Sequence, residues 1–202
     1  MDWKGNKHSI YVTLGASNHT EQERELNDYY ATEPKAIDLL LTKEQPNHNI
    51  WECACGEGHL SKRLMEKGYN VVSTDIIDRG YKDMSAQQDF LSATNTPIKN
   101  IDILTNPPYK YAKEFVLKAL DLLQDGCCCY MFLKLTFLEG KARFKEIFKS
   151  TPPRCVYVFS ERVQCAKNGD FEKMRQGGGS AVAYAWMVWQ KGYTGGTTIE
   201  WI

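Results

Sequence analysis

The chain has 202 residues, 43% of them hydrophobic, and its 25 Lys and Arg are balanced by 25 Asp and Glu for a net charge of zero. That length supports one core covering roughly 70% of the unfolded surface, and no apolar run approaches the length of a membrane-spanning helix. Neutrality argues against strong non-specific nucleic-acid binding, and the polar, mixed-charge residues 1–27 do not read as a signal peptide, which points to the cytoplasm.

In chain order, residues 1–27 form a polar arm in which Ser9-Ile10-Tyr11-Val12-Thr13-Leu14 is apolar enough for an extra strand or a lid, and a single domain is expected over 28–202. Pro34 to Leu41 reads as a helix, with Thr32 a candidate cap. Asn49 to Cys53 reads as a short buried strand. It runs into Ala54-Cys55-Gly56-Glu57-Gly58-His59-Leu60-Ser61, a glycine turn opening a helix from Leu60 to Lys67 that Gly68 ends. Asn70 to Asp75 is a second strand, ending in a carboxylate roughly 20 residues beyond the glycines, a spacing that suits a ribose-binding acid. Residues 78–88 show no clear period. The apolar run Ile101 to Leu104 follows, then a helix from Tyr111 to Leu123 with Phe115, Ala119 and Leu122 inward, closed by Asp125-Gly126. After it come a strand Cys127 to Leu133, a helix Gly140 to Lys149, a strand Cys155 to Phe159, a polar stretch to Ser180 and a last long strand Ala181 to Trp189. Strands alternating with helices predict an α/β fold with a doubly wound, mostly parallel sheet.

Seven cysteines and four histidines show no metal-ligand or triad spacing. Cys127, Cys128 and Cys129 are consecutive in an apolar strand, so buried thiols are expected, with no metal, and the histidines are read as surface or capping residues.

The most informative segment is Asn106-Pro107-Pro108-Tyr109, directly after an apolar strand. An Asn side-chain oxygen and the following proline carbonyl can each accept one N–H of a planar amino group, favouring its pyramidal, nucleophilic form. Two prolines stiffen the backbone and offer no competing N–H. Tyr109 supplies a ring on which a planar substrate can stack. Gly56 and Gly58 let a ligand approach the backbone. A dinucleotide-binding oxidoreductase shares the strand, turn and acid, but its fingerprint has a third glycine where this chain has Ser61, and pyrophosphate binding gives no reason for Asn106 to Tyr109. S-adenosylmethionine is therefore favoured over a nicotinamide dinucleotide.

On these motifs the chain resembles class I S-adenosylmethionine-dependent methyltransferases of the amino-methyltransferase type, and is most similar to N6-adenine DNA methyltransferases. The resemblance runs from about Asp28 to Leu138, with a weaker echo in the C-terminal strands. It implies a Rossmann-like seven-stranded sheet with an antiparallel C-terminal hairpin, which fits two final strands joined without a helix. It also implies that Glu52, Ala54, Gly56 and Gly58 cradle the methionine part of the cofactor, that Asp75 holds the ribose hydroxyls and that Ile76 lies against the adenine. Asp89-Phe90 matches the pair that contacts the adenine amino group, and Tyr30-Ala31-Thr32-Glu33-Pro34 resembles a segment that contacts the methionine carboxylate, with one extra residue between Thr and Pro. Glu52 and Cys53 depart from the Asp and Pro more usual in the adenine enzymes. Asn106, Pro107, Pro108 and Tyr109 are the implied acceptor site.

Four polar groups at strand ends, Glu52, Asp75, Asp89 and Asn106, would share one rim of such a sheet. An adenine inside duplex DNA has to leave the stack, which suits Tyr109, and Phe137 is a candidate second wall, with core packing as the other reading. Lys141, Lys145 and Lys149 recur every fourth residue with Phe144, Ile147 and Phe148 inward, either as a phosphate-binding face or a solvated one. Residues 164–180 hold Lys167, Lys173 and Arg175 ahead of Gly177-Gly178-Gly179, a candidate contact loop. No target-recognition domain is recognisable after the core, so specificity is expected to be low, confined to loops and the N-terminal arm, or supplied by a partner. DNA adenine is the leading acceptor; RNA adenine, protein glutamine and a catalytically silent binding subunit are the alternatives.

Overall fold

A computed structural model describes residues 29–167, 169, 171–172 and 182–202. The expected strand or lid at Ser9 to Leu14 and the glycine-rich residues 177–179 lie outside them. Ten strands are described: β1 Tyr30–Thr32, β2 Asn49–Glu52, β3 Asn70–Asp75, β4 Ala86–Gln87, β5 Asp102–Thr105, β6 Cys128–Lys134, β7 Cys155–Val158, β8 Cys165–Lys167, β9 Tyr184–Gln190 and β10 Thr198–Trp201. The helices are α1 Lys35–Leu40, α2 His59–Glu66, α3 Ala112–Leu122 and a short α4 Lys141–Arg143 that continues as a π-helical turn, Phe144–Phe148.

Eight strands form one sheet in the order β10-β7-β9-β6-β5-β2-β3-β4. All neighbouring pairs are parallel except those of β9, which runs antiparallel between β6 and β7. The central strands are almost continuously buried: all four residues of β5, six of seven in β6 and six of seven in β9. Such unbroken apolar runs belong to strands covered on both faces. Alternation along β2 sorts the two layers. Ile50 packs with Ile37 and Leu40 of α1 and Leu60 and Leu64 of α2, whereas Trp51 packs with Phe115, Val116 and Ala119 of α3. Trp51, Trp186 and Trp189 are fully buried, and each large side chain withdrawn from water contributes roughly 1.5–3 kcal/mol.

From β2 the chain moves to β3 and β4 on one side, then returns to β5 and β6 on the other. The order reverses between β2 and β5, and in open α/β sheets the crevice beyond the carboxyl ends of such strands receives ligands. The predicted doubly wound sheet with its antiparallel strand is present, and so are three features not foreseen. β10 adds an eighth, parallel strand outside β7. β1 pairs with β8 as a separate antiparallel ribbon, Thr32 opposite Cys165, so the polar stretch begins as a strand rather than a loop. The helix expected over 140–149 widens at Phe144, where the Lys149 N–H reaches back five residues to the Phe144 carbonyl at 2.9 Å. That extra residue in the turn rotates the face, so Ile147 is buried but Phe144, expected inward, is 60% exposed.

All seven cysteines are free and buried. Among the described residues no group of ligating side chains could hold a metal ion, and no helix is long and apolar enough to cross a membrane.

Candidate functional site

The carboxyl edge of the sheet carries the predicted polar groups: Glu52 closes β2, Asp75 closes β3 and Asn106 follows β5. Gly56 and Gly58 both have positive φ, at 55° and 77°, which permits the tight turn ahead of α2. Asp75 fastens that turn to the sheet, one carboxylate oxygen accepting the Gly56 N–H at 2.8 Å and the other the Ile77 N–H at 2.9 Å. Ile76, directly after it, is 57% exposed, a large apolar side chain uncovered at the rim. Ala54 is half-buried against the core.

Glu52 is buried and accepts a short hydrogen bond from the Ser61 hydroxyl, which in turn lies 2.6 Å from Ser73 Oγ. Burial pushes its carboxyl up to about 8, against the lowering effect of the Ser61 hydrogen bonds and with a further push from the Asp75 charge. The side chain thus anchors the first turn of α2.

The space beside the two glycines is filled by tyrosines of the same chain. A Cβ at Gly56 would lie 2.1 Å from the Tyr29 ring, and one at Gly58 2.6 Å from the Tyr81 ring. The close approach that glycine allows is made here by these rings. Tyr29 Oη lies 3.0 Å from His59 Nδ1 and accepts the Glu57 N–H at 3.2 Å, while the Arg79 guanidinium lies over its ring at 4.7 Å. His59, expected at the surface or as a cap, is a half-buried partner of Tyr29, and burial lowers its imidazole pKa.

Beyond β5, the Asn106 amide is oriented by its neighbours. Nδ2 donates to the Tyr30 carbonyl at 2.8 Å and lies 3.5 Å from Cys165 Sγ. A backbone carbonyl only accepts, so it selects the amide face that carries N–H. Asn106 Oδ1 is buried and has no hydrogen-bond partner among the described residues. An orphan of this kind costs about 1–3 kcal/mol. The Tyr111 N–H takes the Pro108 carbonyl at 2.8 Å, whereas the buried Pro107 offers a carbonyl that accepts no backbone hydrogen bond among the described residues. Two acceptors thus stand together on a stiff backbone.

Tyr109 is less open than a bare platform. Its hydroxyl lies 3.1 Å from Cys165 Sγ, its ring stacks with Tyr184 at 6.0 Å and tilts against Tyr30 at 6.1 Å, and the Lys134 ammonium sits 4.9 Å from the ring centroid. Burial holds both the Tyr109 phenol and the Cys165 thiol above their ordinary values, so both stay neutral near pH 7. A planar group entering over that face meets a cation–π pair that must part.

Of the remaining candidates, Thr32 lies on β1 and does not cap α1, whose N-cap is Pro34; its buried hydroxyl has no nitrogen or oxygen partner among the described residues. Asp89 caps a single 3-10 turn, accepting from the Leu91 N–H at 2.9 Å and the Ser92 hydroxyl at 2.6 Å. Phe90 is a core residue, 5.1 Å from the Trp51 ring and 4.9 Å from that of Phe115, rather than a surface open to a ligand. Phe137 likewise packs inside, between Phe148 and Trp189 with the Arg143 guanidinium over it, which settles its two readings in favour of packing. The structure therefore brings Glu52, Gly56 and Asp75 into one cluster and Tyr30, Thr32, Asn106 and Tyr109 into another. Tyr29, Tyr81, Lys134, Cys165 and Tyr184 were not singled out. Only a ring-accommodating glycine pair hinted at the first two, and nothing local marks the others.

The fold is a Rossmann-like one shared with solved structures that are assigned as S-adenosylmethionine-dependent methyltransferases. No family model matches the sequence, and no curated protein matches it. Solved structures do. A protein of Listeria monocytogenes assigned as a class I S-adenosylmethionine-dependent methyltransferase is similar at TM-score 0.56 and 12% identity, over 97% of this chain and 72% of its own. A protein of Pyrococcus horikoshii assigned as an RNA methyltransferase is similar at TM-score 0.54 and 13% identity, over 92% and 99%. A modification subunit assigned to a type I restriction enzyme of Vibrio vulnificus is similar at TM-score 0.56 and 12% identity; this chain covers 89% of itself but only 48% of that subunit.

Proposed function

We propose that the protein transfers the methyl group of S-adenosylmethionine to the exocyclic N6 amino nitrogen of adenine in DNA. The observation that carries this is Asn106: its amide nitrogen is tied to the Tyr30 carbonyl, and its oxygen is left buried and unpartnered. A hydroxyl or thiolate nucleophile brings at most one proton to such a site. An amino group brings two, matching Asn106 Oδ1 and the Pro107 carbonyl. Accepting both draws the nitrogen towards the pyramidal form whose lone pair can attack.

The cofactor fits the residues at the β2 and β3 ends. Asp75 keeps lone pairs beyond its two backbone hydrogen bonds for ribose hydroxyls, the exposed Ile76 beside it offers an apolar wall, and the turn at Gly56 and Gly58 would receive the methionine part once the Tyr29 and Tyr81 rings that cover it swing aside. Bound S-adenosylmethionine supplies an electrophilic methyl on a sulfonium. The chain's own task is alignment of the amino nitrogen for in-line attack. No strong base is needed, because the alkylated nitrogen is acidic and loses its proton afterwards; held neutral, Tyr109 and Cys165 are themselves poor competing nucleophiles for the methyl group.

Nucleic acid as the carrier draws support from Lys134, a cation beside the acceptor motif, and from the restriction-modification and RNA enzymes among the similar structures. The test incubates the protein with radiolabelled S-adenosylmethionine and, separately, unmethylated DNA, RNA and extract protein, and identifies the product by mass spectrometry. N6-methyladenine in DNA is expected. Label confined to RNA or protein would reject the DNA assignment, and none anywhere despite cofactor binding would reject catalysis.

A further inference from the structure

Next to the acceptor motif lies a cavity of about 290 Å³ that the chemistry above does not use. It opens at the carboxyl ends of β6 and β7 and the start of β9. Leu135 and Val163 are among its apolar walls, the half-buried Phe159 and the buried Tyr184 are its aromatic lining residues, and Glu161 and Arg162 stand exposed at its mouth. The volume is at the small end of ligand pockets, too small for an extended peptide segment and adequate for one planar ring system.

Tyr184 joins this cavity to the acceptor site. It lines the cavity and also stacks on Tyr109 at 6.0 Å, with its ring planes only 28° apart. The aromatic row continues from Tyr184 to Phe132 at 5.0 Å and from Phe132 to Phe159 at 5.9 Å, ending in the cavity wall. Two cations flank the row: Lys134 over Tyr109, and Arg162 at the mouth. Glu161 would repel a phosphate if bare, but the Lys35 ammonium lies 3.5 Å from it.

Resting on the adenine assignment, we propose that this cavity holds the nucleobase adjacent to the target adenine in the same strand. When an adenine leaves the stack, its neighbour loses one stacking face, and unstacking is a cost that the protein must offset. A cavity separated from Tyr109 by the single ring of Tyr184, with the half-buried Phe159 in its wall, replaces that face. Successive bases of a strand rise about 3.4 Å when stacked and more when splayed, so the reach from Tyr109 across Tyr184 suits adjacent nucleotides. Backbone phosphate between them would pass the Lys134 and Arg162 side. The acceptor is then an oligonucleotide read two bases at a time, which neither a free nucleoside nor a glutamine side chain can satisfy.

The test uses a fluorescently labelled short single-stranded deoxyoligonucleotide with one adenine, and two versions with an abasic residue immediately 5′ or 3′ of it. Affinity is read by anisotropy and methyl transfer is read separately. One abasic version should bind about tenfold more weakly than the intact strand, the scale of one lost base–aromatic stack, while the other binds within twofold. In Ala183→Trp, which fills the cavity from an exposed position whose carbonyl keeps the Leu135 N–H, the intact strand should weaken to the level of the sensitive abasic one. Phe159→Ala should do the same without adding bulk, and unchanged cofactor affinity reports an intact fold in both. Methylation with no abasic penalty on either side, no strand binding at all, or a penalty that persists in both variants overturns the cavity assignment. An abasic penalty without any methylation upholds it while rejecting the adenine-methylation reading.

Discussion

Replacing Glu52 by Gln should make the cofactor-free protein less sensitive to pH. Glu52 is buried at the end of β2, and its carboxyl is raised from about 4.5 to about 8. The folded state therefore holds a proton there that the unfolded chain has released. The sign follows: the stabilising contribution is complete below pH 4.5 and is lost as pH rises to 8. At 1.36 kcal/mol per pH unit the loss is at most roughly 5 kcal/mol. Relaxation around the ion and water entry reduce it, so a differential of about 2 kcal/mol or more is expected. Glutamine keeps the shape and the hydrogen bond to Ser61 but carries no titrating proton. Urea unfolding of both proteins at intervals from pH 5 to 8.5 gives the difference directly. Wild type should be similar to Glu52→Gln at pH 5 and fall below it by pH 8.5. A difference that stays flat over this range would refute the assignment of a buried, neutral Glu52.

Other substitutions separate the two clusters. Asp75→Asn should weaken S-adenosylmethionine binding about tenfold by calorimetry, near the 1.5 kcal/mol scale of a hydrogen bond to a charged group, while turnover at saturating cofactor changes less than threefold; an unchanged affinity would remove Asp75 from the cofactor site. Gly56→Ala should destabilise strongly, because its φ of 55° strains any Cβ and the Tyr29 ring stands 2.1 Å from it. In a Tyr29→Ala background only the backbone strain of roughly 1–2 kcal/mol should remain, and equal costs in both backgrounds would deny the ring contact. With burial holding the Cys165 thiol up, the pH profile of kcat in Cys165→Ser should match wild type between pH 6 and 8. An ionisation that disappears in the variant would place a reactive thiolate in the site.

Local pattern carried the sheet and the polar groups at its carboxyl edge. β2, β3, β5, β6 and β9 are apolar runs long enough to mark themselves, and the glycines, Asp75 and Asn106 sit where those runs stop. What pattern could not carry is pairing across distance. β10 has two exposed apolar residues, Ile199 and Trp201, on a strand that earns its place only by lying beside β7. The β1–β8 ribbon joins segments over 130 residues apart, and it brings Cys165 and the Tyr30 carbonyl to Asn106. A helical period of 3.6 places Phe144 inward, and the π turn carries it outward instead. Phe90 and Phe137 show a different limit, since an aromatic beside a motif residue or just past a strand end has the same sequence signature whether it faces a ligand or the core.

Asn106→Ala tests the amino-group acceptor most directly. Single-turnover methyl transfer to an adenine-containing oligonucleotide, with cofactor affinity measured on the same preparation, should show a fall in rate on the order of a hundredfold, the scale for losing one preorganised hydrogen-bonding group at the reacting centre, with cofactor affinity within twofold of wild type. Wild-type transfer in the variant, or a loss explained wholly by weaker cofactor binding, would contradict the role assigned to the unpartnered Asn106 oxygen.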